Sequence, residues 1–168
     1  MSGAKRSYWL MKSEPDVYGI ADLERDGSEP WNGIRNYQAR NFLRDAMAVG
    51  DLALFYHSNA SPPGVAGVMR IASGPEPDGL AFDPGSSYFD PRSDPEDPVW
   101  VQRQVGFVAA FPQFVPLAAL REDPGLEGML VIRKGQRLSI QPVEERHFWR
   151  ICRKGGLSKE AVLENCAQ

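Results

Sequence analysis

The sequence predicts a mixed α+β domain built on a β-barrel or strongly curved sheet, with helices inserted between the strands. Three observations lead there. Short runs of bulky and β-branched residues recur at Ser7–Met11, Leu52–His57, Val65–Ala72, Val99–Ala109 and Leu138–Val143, most of them bounded by Pro, Gly, Ser or Asn. Helix-period stretches sit between some of these runs without alternating strictly, which argues against a doubly wound parallel sheet. No Gly-rich phosphate loop is present.

The first strand stops at Lys12-Ser13-Glu14-Pro15, where Pro15 bars helix at Glu14 and favours a turn. Ile20–Arg25 reads as a short helix closed by Asp26-Gly27-Ser28, and Pro30-Trp31-Asn32-Gly33 as a turn. From Ala39, the apolar residues Ala39, Phe42, Leu43, Ala46 and Met47 form the buried stripe of an amphipathic helix. Asn36 caps it, Gly50 ends it, and Arg40 and Arg44 lie on its solvent face. Leu52–His57 has the content of a buried strand, and the short polar connection to Val65–Ala72 suggests an antiparallel hairpin. Residues 73–98 differ in kind: six prolines and seven acids predict an irregular surface excursion tied down by Tyr88, Phe89 and Trp100.

Beyond the Val99–Ala109 strand, Phe111–Pro116 reads as an edge segment, Leu117–Leu120 as a short helix, and Leu126–Ile132 as ambiguous. In the last strand Leu138 and Ile140 share a face. Two helices, Glu144–Arg153 and Ser158–Asn165, close the chain on either side of Gly155-Gly156, with Ser158 as an N-cap.

Length and composition bound the function. A chain of 168 residues at 42% hydrophobic content is one domain, residues 1–168, with a real core. Met1–Arg6 and the run after it are too short for a signal-peptide core or a membrane span, so a soluble, cytoplasmic protein is expected, without membrane contact. Cys152 and Cys166 lack metal-ligand spacing and read as free thiols. A net charge of −3 argues against coating nucleic acid by electrostatics alone. That charge is uneven: residues 76–97 carry seven acids and one base, Arg92, leaving 18 basic and 15 acidic residues elsewhere.

Four polar clusters fall at strand ends or a helix start: Lys12-Ser13-Glu14, Arg35-Asn36-Tyr37, His57-Ser58-Asn59, and Arg137 with Ser139. If those ends converge, they surround a cleft with rings for stacking and amide, hydroxyl and carboxylate groups for edge recognition. Stacking a base on an aromatic is worth about 1–3 kcal/mol, so such a cleft can hold a flat heterocycle without covalent chemistry. Each cluster also has a structural explanation: Lys12 and Glu14 as an ion pair at a turn, Trp31 as a lid on the core, His57 bonded to backbone. An enzymatic alternative is a small hydrolase or nucleotide-processing enzyme using His57 with Ser13 or Glu14. It lacks a nucleophile elbow, and Ser58, next to His57, would face the other way. Zinc-dependent base deamination is not supported, because the His-x-Glu and Pro-Cys-x-x-Cys elements are missing. A third alternative is a ligand-sensing or protein-interaction module indifferent to Trp31→Ala.

Four segments, Tyr8–Pro15, Trp31–Arg44, Phe55–Ser58 and Gln136–Pro142, resemble the EVE domain family in sequence and in order along nearly the whole chain. The resemblance implies a PUA-like mixed β-barrel with peripheral helices and a non-enzymatic reader of modified bases, such as methylated or oxidised cytosine, in DNA or RNA. Carried over by position, it implies a base pocket drawn from Lys12, Ser13, Glu14, Trp31, Ile34, Arg35, Asn36, Tyr56, His57, Ser58, Arg137 and Ser139. Trp31 would stack, Ser13, Glu14 and Asn36 would bond the base edge, and Lys12, Arg35 and Arg40 would meet phosphate. No metal or cofactor is required, a monomer is expected, and a eukaryotic source would place it in the nucleus.

Overall fold

The computed structural model describes residues 5–167, so most of the Met1–Arg6 segment lies outside the described residues. Seven strands form one sheet: β1 (Tyr8–Ser13), β2 (Ser28–Trp31), β3 (Leu52–His57), β4 (Gly64–Ile71), β5 (Glu76–Pro77), β6 (Val101–Pro116) and β7 (Ile140–Val143). Their order is β2-β6-β4-β3-β1-β7, with β5 on β6; β1 and β3 run parallel and every other pairing is antiparallel. The helices are α1 (Ile20–Asp26), α2 (Tyr37–Asn41), α3 (Leu117–Glu122), α4 (Glu145–Lys154) and α5 (Lys159–Cys166). The mixed α+β class is as expected, but the sheet is open. Among the described residues no ladder joins β2 to β7, both four residues long and each carrying a proline, which cannot donate to a further strand.

Alternation along the strands splits the apolar residues into two cores. On one face Tyr8, Leu10, Leu52, Leu54 and Tyr56 pack with Phe148 and Ile151 of α4 and Val162 of α5. On the other, Trp9, Met11, Ala53 and Phe55 pack with Leu23 of α1, Trp31, Ile34, Ala39 and Leu43. Each fully buried large side chain contributes roughly 1.5–3 kcal/mol, so both faces are fixed and a one-residue slip of β1 or β3 would expose both cores.

The structure departs from the sequence reading, or settles what it left open, in four places. Pro30-Trp31 ends a strand on β6 instead of forming only a turn, with Pro30 tolerated because β2 is an edge. Val99–Ala109 and Phe111–Pro116 fall largely in one strand, β6; its ladder with β4 shifts register between Val65 and Gly67, leaving Phe111 to Phe114 without a β4 partner, and Pro112 sits in that irregularity. Leu126–Ile132 resolves into two 3₁₀ turns, Pro124–Leu126 and Leu130–Ile132.

The fourth concerns the central helix, which is regular only to Asn41 and continues as a π-helical turn over Phe42–Ala46. The cause is Arg103, buried on β6, whose guanidinium donates to the carbonyls of Leu43, Met47 and Ser73. With the Leu43 carbonyl diverted, the Met47 N–H bonds Phe42 O at 3.0 Å. Ala46, expected in the buried stripe, is exposed.

Residues 73–98 pack against the sheet and the α2 entry through two aspartates. Asp78, wholly buried, accepts from Gly33 N (2.8 Å), Leu80 N (2.8 Å) and Arg35 Nη1 (2.9 Å). Asp90 accepts from Trp100 Nε1 (2.8 Å) and Arg92 Nη2 (2.9 Å). Trp100 is buried, whereas Tyr88 and Phe89 stay largely exposed.

Candidate functional site

Parallel pairing of β1 with β3 sets Lys12 opposite Tyr56 and Ser13 opposite His57, so two polar clusters finish adjacent strands at the same end of the sheet. Ser58 N donates to Ser13 O (3.0 Å) and Asn59 Nδ2 to Glu14 Oε1 (2.8 Å), joining the clusters beyond the strand ends. The segment before β7 comes in beside them: Lys12 N donates to Ser139 O (2.9 Å) and Lys12 Nζ to Gln136 O (3.3 Å). Arg137 is exposed and Ser139 half-buried there.

Residues one apart on a strand face opposite ways, and this divides the candidates. Tyr56 belongs to the core under α4 and α5, and Lys12 lies over its ring, 5.8 Å from the centroid. Burial lowers the pKa of Lys12 and raises that of Tyr56. His57 faces the other core, with its ring edge-on to Phe55 at 5.6 Å, and Phe55 meets Trp31 edge-on at 5.5 Å. Three rings in succession thus connect the end of β3 to the end of β2.

The polar atoms on this second face are partly engaged. Ile20 N donates to His57 Nε2 (3.2 Å), and Ser13 Oγ donates to Tyr18 O (2.6 Å). Burial lowers the His57 pKa, opposed in part by Asp22, which favours a neutral ring with its proton on Nδ1. The Nε2 lone pair is thereby held by a backbone N–H, and the Ser13 proton by a carbonyl. Neither group is arranged as base and nucleophile toward the other.

The Trp31–Tyr37 loop supplies the remaining cluster. Trp31 and Ile34 are 6% and 8% exposed, so the indole is a wall of the core with little of it open to solvent. Asn36 caps α2 as expected, its Oδ1 accepting from Ala39 N (2.9 Å). Arg35 donates from Nη1 to Asp78 and Ile34 O, and from Nε and Nη2 to Tyr88 O. Arg40 Nη1 donates to Val99 O (2.7 Å). A phosphate would therefore have to share both guanidinium groups with protein partners. Among the described residues no cluster of His, Cys, Asp and Glu could hold a metal, and no helix is long and apolar enough to cross a membrane.

With this geometry in view, the family can be assigned. The EVE domain model matches residues 7–154. The chain belongs to the EVE domain family. Human thymocyte nuclear protein 1 is 40% identical over 84% of this chain and 71% of its own length. An X-ray structure of a Pseudomonas syringae protein superposes with a TM-score of 0.84 at 44% identity, covering 89% of this chain and 99% of that one. The crystal structure of human thymocyte nuclear protein 1 in complex with 5-methylcytosine-containing DNA superposes at 0.82 and 38% identity, covering 90% and 99%. The YTH domain of Zygosaccharomyces rouxii MRB1 protein, solved with N6-methyladenosine RNA, reaches 0.54 at 12% identity over 95% and 92%, a likeness of fold alone. The fold is thus PUA-like, with an open sheet.

This EVE domain also holds residues beside the candidate site that the sequence did not assign to it. Asp78 ties the Gly33–Arg35 backbone in place, and the Tyr88 ring lies against Gly33, within 3.4 Å of where a Cβ would stand. Gly33 has φ +74°, so both its backbone and its missing side chain matter here. Aromatics in an otherwise polar, Pro-rich loop were the available signal for Tyr88; for Asp78 there was none.

Proposed function

We propose that this EVE domain is a nucleic-acid-binding protein that accepts a modified base, such as methylated or oxidised cytosine, without catalysing a reaction on it. The observation that carries this reading is the human relative solved with 5-methylcytosine-containing DNA, alike over nine-tenths of this chain. Geometry supports it on the Ser13, His57 and Trp31 face, where a base would meet the Trp31 rim and hydrogen-bond with Ser13, Asn36 and His57 at its edge. Glu14, held by Asn59, and Ser58, whose N–H bonds Ser13 O, lie beside Ser13 and His57. Arg35 and Arg40 turn positive field toward the strand; Lys12, on the opposite face of β1, would reach a phosphate only past the end of the sheet, where an anion would offset its burial. Ile34, Arg137 and Ser139 would complete the frame, with Tyr56 on the opposite face supporting the strand end from behind. Extruding a base costs a few kcal/mol, which stacking and edge contacts of this kind offset.

A binding screen of oligonucleotides that differ only in the modification of one base, at fixed ionic strength, tests this. The expected result is a preference for one modification that weakens in a folded Trp31→Phe variant. Equal affinity across modifications would refute it. The hydrolase alternative would instead show turnover of nucleotides or esters that His57→Ala abolishes.

A further inference from the structure

We propose that the face formed by Tyr37, Arg40, Trp100, Arg35, Tyr88 and Phe89 is a stacking platform for the nucleotide next to the read base. The domain then grips a single strand and not an isolated base. This rests on the reading above that a modified base is bound.

The face combines two features. It exposes three large rings, with Tyr37 50%, Tyr88 43% and Phe89 40% accessible. It also interleaves them with guanidinium groups. Tyr37 stacks on Trp100 with centroids 4.9 Å apart and an interplanar angle of 29°. Arg40 lies 4.9 Å from the Tyr37 centroid, and Arg35 lies 5.1 Å from Trp100 and 5.3 Å from Tyr88. Aromatic rings alternating with cations are how sequence-tolerant single-strand sites hold bases and track phosphates.

An open depression of about 300 Å³ lies in this face, lined by the rings of Tyr88, Phe89 and Trp100, by Arg35 and Arg92, and by Ser87 and the Arg92-paired Asp90. Its walls are fixed. Asp90 beneath it binds Trp100 Nε1 and Arg92, Ser86 Oγ accepts from Tyr88 N (3.0 Å), and Tyr88 O accepts two bonds from Arg35. Preformed rings lose little entropy on binding. The position suits a neighbouring nucleotide, because Tyr88 lies on Gly33 and Arg35 follows Ile34 in the loop that carries Trp31.

The acidity of the loop does not oppose this. Two of its acids, Asp78 and Asp90, are buried and matched by Arg35 and Arg92. Arg35, Arg40 and Arg92 are what the face offers to phosphate. A Pro-rich peptide also docks on aromatic grooves, but it has no use for three guanidinium groups among the rings.

The test compares a short single-stranded oligonucleotide centred on 5-methylcytosine, the same strand with cytosine, and 5-methylcytidine alone, using the intact chain. The double variant Tyr37→Ala with Phe89→Ala is expected to lose about ten-fold in affinity for both strands, one stacked base's worth. Its preference for the methylated strand and its affinity for the nucleoside should stay as in wild type. Tyr37→Phe with Phe89→Tyr keeps both rings and should retain strand affinity, which separates stacking from misfolding. Unchanged strand affinity in the Ala variant would overturn the platform, as would a strand that binds no tighter than the nucleoside in wild type. A wild type that binds the strand but ignores methylation would sink the reader and not the platform.

Discussion

Replacing Asp78 with alanine removes the one carboxylate that ties residues 73–98 to the loop carrying Trp31. Its side chain is fully buried and accepts from Gly33 N, Leu80 N and Arg35 Nη1 at 2.8, 2.8 and 2.9 Å. Hydrogen bonds to a charged group contribute about 1.5–3 kcal/mol each, but these three do not add. The Arg35 side chain is 21% exposed and keeps its bonds to Tyr88 O, so it can turn toward water once the carboxylate is gone. The two backbone N–H groups are less able to do so. A loss of about 3 kcal/mol follows, at the lower end of what breaking a buried pair costs. With a urea slope of about 2 kcal/mol/M, the unfolding midpoint should fall by roughly 1.5 M. Asp78→Asn keeps the shape and one acceptor oxygen, enough for the Gly33 and Arg35 bonds but not for the Leu80 N–H, and should lose about half as much. Hydrogen exchange should show faster opening at residues 76–92 than at β3. A midpoint that moves by less than about 0.3 M in Asp78→Ala, or a loop that exchanges as in wild type, would refute the anchoring role.

Other consequences can be measured as directly. Asn36→Ala removes the side-chain cap of α2 and should cost about 1 kcal/mol in chemical denaturation; no change would mean that the cap bond to Ala39 N is not formed in solution. Both histidines have pKa values lowered from about 6.5, chiefly by burial, so the unfolded chain binds protons that the folded chain resists. Their contribution is therefore complete above about pH 6.5 and declines as pH falls toward the folded-state values; a midpoint that rises between pH 7 and 5.5 would contradict this. Asp90 and Asp123, held below the usual carboxylate range chiefly by Arg92 and Arg150, should add a second decline below about pH 4. Burial pushes the Cys152 thiol up to about 12, so it should not react with a thiol reagent in the folded protein, and fast labelling would show local opening.

The parts of the fold that the sequence made legible are those governed by neighbours along the chain. Asn36 and Ser158 cap their helices with side-chain oxygens, Gly27 closes α1 at φ 79°, and Leu52–His57 is a strand over the expected residues. What could not be read depends on partners far away in sequence. The π turn at Phe42–Ala46 follows from Arg103 some sixty residues on, and β2 is a strand because β6 offers it an edge. The barrel expectation gave way to an open sheet because closure depends on the lengths and prolines of two edge strands at opposite ends of the chain.

The candidate site divides in the same manner. Its polar clusters were visible as residue types at strand ends, and parallel pairing brings Ser13 beside His57. That register also sends Lys12 and Tyr56 to the opposite face, which no single strand could reveal. Trp31 was visible as an aromatic in a loop, but its burial follows from Phe55 and Ile34, and Arg35 and Arg40 are engaged by a segment that sequence alone marked as an acidic, Pro-rich excursion without naming its partners.

The most direct measurement is a nuclear magnetic resonance titration of the isotopically labelled protein with 5-methylcytidine. The indole N–H of Trp31 and the backbone amides of Ser13, Asn36 and His57 are expected to shift together along one binding curve, with α4 and α5 unmoved. Shifts confined to α4, α5 or β7, or a Trp31 signal that stays fixed while Ser13 and His57 respond, would show that no common socket joins these strand ends.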